Sequence, residues 1–292
     1  MKREDINIRD PYVLNYQGKY YLYGTRSATC WSKADGFDVY VGEDFDNWTG
    51  PIEIFHRPED FFADQNFWAP ECIYYKGAFY LITTFGGEGF NKGTYILKSD
   101  SPTGPFELYS ERLNPEDWVC IDATVYFEGD RPWIVYSKSF ESSPEGLMYA
   151  QELSEDLKTM VGEPVKLFEA SEASWAKPVP FAKAEFGMDG DVYFTDGPGI
   201  FTGDKGQLIM TWSSWSKAGY AVGLAISENG QITGPWQQLD EPLWPENGGH
   251  GMSFIAKDGK RYFTLHYPND KYAERPVFYP ITVDGDNITL EK

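Results

Sequence analysis

The chain is poor in cysteine and histidine, with three of each in 292 residues. Cys30, Cys72 and Cys120 are an odd, sparse set, each flanked by large or apolar residues. They read as buried free thiols in a reducing compartment rather than as a disulfide framework or a metal cluster. Positive charge is also scarce: 25 Lys and Arg stand against 45 Asp and Glu, for a net charge of −20. A field of that sign repels phosphate backbones and anionic lipid heads, so nucleic acid and membrane surfaces are excluded as partners. No apolar run approaches the ~20 residues of a membrane span. The opening MKREDINIRDPYVL has a basic start but no hydrophobic stretch behind it, so no signal peptide is read there. With the unpaired thiols, this sets an expectation of a cytoplasmic protein. The GxSxG elbow, the HExxH zinc motif and the Walker loop are absent as well, which leaves their chemistries without residues.

What the chain has in excess is aromatic. Ten Trp, 20 Tyr and 20 Phe accompany 29 Gly and 19 Pro. Aromatics favour pleated strands, and Gly and Pro punctuate turns, so the composition points to an all-β protein. Helical periodicity is rare; short apolar or alternating runs recur between Gly, Asp, Asn and Pro. Most of these rings belong to a core. An acidic, aromatic-rich surface also suits carbohydrate, because sugar C–H faces stack on rings and carboxylates accept hydroxyl protons.

The chain repeats itself. GKYYLYGT from Gly18, GAFYLITTF from Gly77, GDRPWIVYS from Gly129, GQLIMTWSS from Gly206 and GKRYFTLHYP from Gly259 are five copies of one aromatic strand. Each is followed by an amphipathic strand ending in an acidic turn. Each is preceded by another apolar strand: DPYVLNY, APECIYY, DATVYFE, DGPGIFT and HGMSFIA. A four-stranded unit repeated five times predicts a five-bladed β-propeller, with antiparallel blades around an axial channel. A β-sandwich is the competing architecture. The five units consume residues 1–292, so one catalytic domain is expected.

The first strand of each unit lines the channel of a propeller. There lie Asp10, Trp68 with Glu71, Asp122, Asp196 and His250. A lone Asp is usually a turn residue, but acids recurring at one ring position converge on a shared cavity. Convergent carboxylates are the equipment of glycoside hydrolysis: one activates water, and another, protonated, assists the leaving oxygen.

RDPYVL, FWAPE, CIDATVYF before PWIVYS, DGP before LIMTWSS, and then GGHGMSF and ERP, together resemble glycoside hydrolase family 43. The resemblance runs through the whole chain in order. It implies a five-bladed propeller that inverts the anomeric centre of arabinose- or xylose-containing oligosaccharides. The expected activity is that of an exo-acting α-L-arabinofuranosidase or β-xylosidase. The resemblance makes Asp10 the general base and Asp122 the auxiliary acid that orients and tunes the proton donor. It makes Trp68 a wall of the sugar pocket, His250 the axial histidine and Arg275 the last-blade arginine that contacts the sugar. It requires no organic cofactor and allows calcium or another ion in the channel beside His250. The family's donor is usually a Glu before Gly-Pro or Ala-Pro; the equivalent triplet here is Asp196-Gly197-Pro198. Asp196 is the favoured donor, with Glu172 of SEASWAKP as the alternative. That departure keeps a non-catalytic sugar-binding propeller open, beside an arabinanase, galactosidase or galactofuranosidase. A phosphorolytic relative would need a cationic phosphate site, for which only Arg9, Arg275 and Lys177 are near enough in sequence.

Among the remaining residues, Trp31 and Trp175 read as sugar-rim candidates, and Glu71 as a contact to backbone or substrate. Trp48 and Trp236 read as blade-closing core. His56 and His266 read as structural or surface residues, with His266 able to reach the rim beside Arg275. The insertions at 85–93 and 170–190 would wall one end of the channel, which favours exo action. Oligomeric state has no sequence signal.

Overall fold

The five glycines that head the repeats make the hairpins. Gly18, Gly77, Gly129, Gly206 and Gly259 all hold left-handed φ, between 64° and 86°, a conformation that costs an L side chain energy. Each joins the first strand of a blade to its second. In the computed structural model, which describes residues 1–292, the chain forms five four-stranded antiparallel sheets, each in simple sequential order. The blades cover residues 8–56, 65–108, 120–169, 196–238 and 249–290. They pack in a ring, first strand beside first strand, and the fifth closes on the first. The fold is the expected five-bladed propeller.

Sheet faces bury their apolar side chains between blades, which gives one cluster per interface. Tyr23, Phe37, Phe67 and Phe85 fill the first, and Ile82, Ile96, Ile134 and Tyr136 the second. Met148, Trp175, Met210 and Trp212 fill the third. Leu224, Trp244, Phe263 and Leu265 fill the fourth, and Ile8, Leu22, Trp48 and Phe254 the fifth. Trp48 and Trp236 are buried, as core residues should be. All three cysteines are buried and free.

No strand is exchanged between blades, so side chains hold the seam between the fifth and the first. Glu274, with no exposed surface, pairs with Arg9 at 2.8 Å and accepts from Ser27 Oγ at 2.7 Å. Its carbonyl accepts from Asn7 Nδ2 at 2.8 Å.

Each inner strand carries a β-bulge at the same register. Three residues of the first strand span two of the second, between Arg9 and Tyr12, Trp68 and Glu71, Asp196 and Gly199, and Gly249 and Met252. In the third blade the same excess lies between Ile121 and Thr124. The extra residue takes positive φ in every blade: Asp10, Ala69, Asp122, Gly197 and His250, at 46–55°. A bulge frees a backbone N–H from the ladder. Four of these five N–H groups are taken up by the second strand of the preceding blade. Ala69 donates to Thr25 Oγ1 at 2.7 Å, Asp122 to Thr84 Oγ1 at 3.0 Å, and His250 to Ser213 Oγ at 2.8 Å. Asp10 donates to His266 Nδ1 at 3.2 Å and so completes the circle. This chain of contacts aims the bulge side chains at one centre.

Candidate active site

Asp10, Asp122 and Asp196 line one cavity of about 480 Å³ at the channel mouth, a size suited to a small ligand. They are not all at one ring position. Asp10 and Asp122 are bulge residues, as is His250, whereas Asp196 stands one residue earlier, in the place of Arg9 and Trp68. Gly197 takes the left-handed bulge position in that blade instead, at φ 51°.

Asp10 is buried, and its Oδ2 accepts from Thr25 Oγ1 at 2.6 Å. Its Oδ1 lies 3.4 Å from His250 Nδ1. Burial pushes the Asp10 carboxyl up, but His250, Arg9, His266 and the Thr25 hydrogen bond outweigh it and hold the group below its usual range. Arg9 is the partner that stays charged at every relevant pH. Asp122 and Asp196 move the other way. Burial, then Asp196 and Asp10, raise Asp122 well above the usual carboxylate range. Burial, with Asp10 adding to it, does the same to Asp196 against the opposing hydrogen bond from Tyr220. The surroundings therefore favour the anion on Asp10 and the acid form of its two neighbours. That split is the one an acid–base pair needs.

Asp196 is held by one oxygen. Tyr220 Oη donates to Oδ2 at 2.5 Å, while the buried Oδ1 has no protein partner. The Tyr220 ring lies where Gly249 leaves space; a Cβ there would be 2.3 Å from it.

The remaining predicted residues divide. Trp68 lines the cavity and donates Nε1 to the Cys30 carbonyl at 2.8 Å. Trp31, 55% exposed, meets it edge to face at 5.7 Å and stands at the cavity edge. His250 is buried behind Asp10 and Asp122 and does not line the cavity, because its bulge turns the ring toward the carboxylates. Glu71 is corrected too: two residues past the bulge register, it is buried away from the cavity, pushed up to about 8 by burial, with Oε2 unpartnered.

Three expectations fail outright. Glu172 is exposed in a short 3-10 turn, where its Oε2 accepts the Glu169 N–H at 3.1 Å; it does not reach the cavity. Trp175 is core: it packs 4.9 Å from Trp212, over Gly223, where a Cβ would be 2.1 Å away. Arg275 donates to the carbonyls of Glu4 and Glu274, at 2.7 and 2.8 Å, tying the N-terminus to the last blade. Successive residues of extended chain point to opposite sides, and here Glu274 takes the inward one. His266 is structural, fully buried, and does not stand at the rim.

Several cavity residues had no sequence assignment. Tyr220 and Asn269 reach it from the last two blades. Lys92 Nζ pairs with Glu141 at 2.6 Å and sits 5.1 Å from the Trp68 ring. Phe140, Phe181 and Phe186 form a wall, and the 170–190 insertion behind it has its own small core around Val179, Ala182 and Val192.

An axial cation would find few donors here. Asp122, Asp196 and His250 bring one atom each within 4.8 Å of one another. Calcium takes six to eight oxygens; this set offers two carboxylates and a nitrogen, and both carboxyls would have to ionise together. The side chains do not fit a calcium cage.

The chain belongs to the glycosyl hydrolases family 43, whose sequence profile matches residues 5–286. The fold superposes on an endo-arabinase from Bacteroides thetaiotaomicron with TM-score 0.88 and 35% identity, over 98% of both chains. An extracellular exo-α-(1→5)-L-arabinofuranosidase from Cellvibrio japonicus is 24% identical over 283 residues, which is 90% of this chain and 74% of the relative. An extracellular endo-α-(1→5)-L-arabinanase from Bacillus subtilis is 25% identical over 141 residues, 44% of this chain and 42% of the relative. The chain is thus a glycoside hydrolase with arabinofuranosidase and arabinanase relatives, and its substrate is a carbohydrate. The cytoplasmic expectation is overturned: both named relatives are extracellular enzymes. Buried thiols carry no information on compartment, since burial protects them in any.

Proposed function

We propose that the enzyme hydrolyses α-L-arabinofuranosyl linkages of arabino-oligosaccharides by a single inverting displacement, releasing units from a chain end outside the cell. The observation that carries the chemistry is that one cavity is lined by two buried carboxyls whose surroundings push them in opposite directions, Asp10 below its usual range and Asp196 well above it. Asp10 takes a proton from water as that water attacks the anomeric carbon. Asp196, anchored through Oδ2 by Tyr220 and lining the cavity, delivers its proton to the departing oxygen. Asp122, buried beside the donor and itself raised well above the usual carboxylate range, helps to hold the donor in place. Trp68 and Trp31 offer apolar faces to the sugar.

The arabinose assignment is supported by the relatives, which are an arabinofuranosidase, an arabinanase and an arabinase. The exo assignment is supported by the aromatic wall of Phe140, Phe181 and Phe186 and by the Lys92–Glu141 bridge, which restrict the cavity. The endo reading is favoured by two relatives, the 35%-identical endo-arabinase and the Bacillus subtilis endo-arabinanase.

Proton NMR during cleavage of α-1,5-linked arabinopentaose tests both points. The expected first product is β-configured arabinose, with arabinotetraose as its partner. An α-anomer would overturn inversion, and arabinobiose and arabinotriose as first products would overturn exo action. Cleavage of an aryl β-xyloside in preference to the aryl arabinofuranoside would overturn the sugar assignment.

A further inference from the structure

The cavity holds one cation beside the ionised carboxylate, and it is not the one expected from the last blade. Arg9 precedes Asp10 on the first inner strand, lines the cavity, and keeps 11% of its side-chain surface exposed. Two of its five N–H bonds are spoken for. One nitrogen donates to Glu274 Oε1 at 2.8 Å, and another to Asn269 Oδ1 at 2.9 Å. Both anchors are themselves fixed. Glu274 Oε2 accepts from Ser27, and Asn269 Oδ1 also faces His266 Nε2 at 3.1 Å. The Trp31 ring lies 5.3 Å from the guanidinium carbon. The fork is held on two sides and stacked on a third, while its remaining N–H groups meet no protein acceptor.

We infer that Arg9 is a sugar-binding residue of this cavity, presenting fixed N–H donors to adjacent hydroxyls of the neutral sugar unit that sits against Asp10. The inference rests on the reading of the cavity as the glycosidic site. The ligand class follows from charge. Glu274 already neutralises the guanidinium, and Asp10 adds a negative charge next to it, so an anionic group would be repelled. A vicinal diol needs donors without net charge. A fork immobilised in advance loses little entropy on binding, which makes it selective for hydroxyl geometry. A site built to bond a hydroxyl also rejects analogues that lack it.

Removing Arg9 alone would leave Glu274 buried and unpaired, so the test uses Arg9→Lys and the double variant Arg9→Ala/Glu274→Gln. Substrates are aryl glycosides of the sugar the parent cleaves, with single deoxy analogues at each ring hydroxyl. Arg9→Lys should keep the parent's melting temperature within a few degrees and lower kcat/KM about tenfold to a hundredfold. The deoxygenation that costs the parent most should then cost Arg9→Lys almost nothing, the non-additivity of a direct contact. Low millimolar guanidinium chloride should restore part of the double variant's activity, whereas sodium chloride should not. Activity of Arg9→Lys within twofold of the parent, or deoxy penalties equal in both, overturns the inference and leaves Arg9 as a seam clamp. A parent preference for uronate-bearing units over neutral ones overturns the ligand class. A parent inactive on arabinofuranosides sinks the sugar assignment alone; the same cycle then runs on the neutral glycoside it does cleave.

Discussion

The backbone N–H of Asp10 donates to Nδ1 of His266, 3.2 Å away across the seam between the last blade and the first. At three of the other junctions the acceptor is a hydroxyl, of Thr25, Thr84 or Ser213. His266 therefore has to be neutral and protonated on Nε2, which points at Asn269 Oδ1. Burial, with Arg9 next, pushes its pKa down to about 3.

That places one source of acid sensitivity. The unfolded chain binds a proton at a free imidazole below about 6.5, but the folded chain refuses it until about 3. The contribution of His266 to stability is complete above about 6.5 and is lost as pH falls toward 3. His266→Gln keeps an acceptor and a donor but does not titrate. Urea unfolding between pH 7 and 4 should show a shallower decline for this variant than for the parent. Parallel curves would remove His266 from the acid response.

Asp122 has the opposite sign. Its folded pKa is raised, so its penalty is absent below the unfolded value near 3.9 and grows as pH rises. Asp122→Asn should gain melting temperature at pH 7 and little at pH 4, while losing most of its turnover. A variant less stable than the parent at both pH values would contradict this account of the site.

The proton donor can be read from leaving groups. A sugar alkoxide needs protonation, and a dinitrophenolate hardly does. Asp196→Asn should lose natural oligosaccharides by about a hundredfold or more, yet keep much of its activity on the dinitrophenyl glycoside. Glu172→Gln, at an exposed turn, should match the parent on both. Selective rescue of the Glu172 variant instead would require that turn to enter the cavity.

The two tryptophans once equal as rim candidates should part. Trp31→Ala should raise KM with unchanged melting temperature. Trp175→Ala should cost about 3–5 kcal/mol of stability, the usual loss for a buried aromatic. Thermal denaturation beside initial-rate kinetics decides both.

The blades were legible because each hairpin glycine is followed by an aromatic strand, and local signals of that kind survive without knowledge of neighbours. Asp10, Asp122 and Asp196 were legible because they lie within the first three residues of inner strands. Glu172 misled because its residue type fitted the family's donor, while the 3-10 turn that points it outward has no strong sequence mark. Arg275 misled because facing depends on a one-residue register. Tyr220, Lys92 and Glu141 reach the cavity through blade packing, which no local pattern encodes. One signal was available. Seven residues after Gly18, Gly77, Gly206 and Gly259, and eight after Gly129, stand Thr25, Thr84, Ser213, His266 and Ser137. That recurring polar position is the acceptor side of the inter-blade contacts in four of the five cases.

A propeller whose last sheet borrows a strand from its first is locked like a belt through its own buckle. This one is a bracelet fastened by a clasp of side chains, and Asp10 is mounted on the clasp. Under rising denaturant the bracelet should spring open while every link is still intact. Hydrolysis would then fail well before the strand signal in circular dichroism does, so turnover becomes the more sensitive gauge of the ring's integrity.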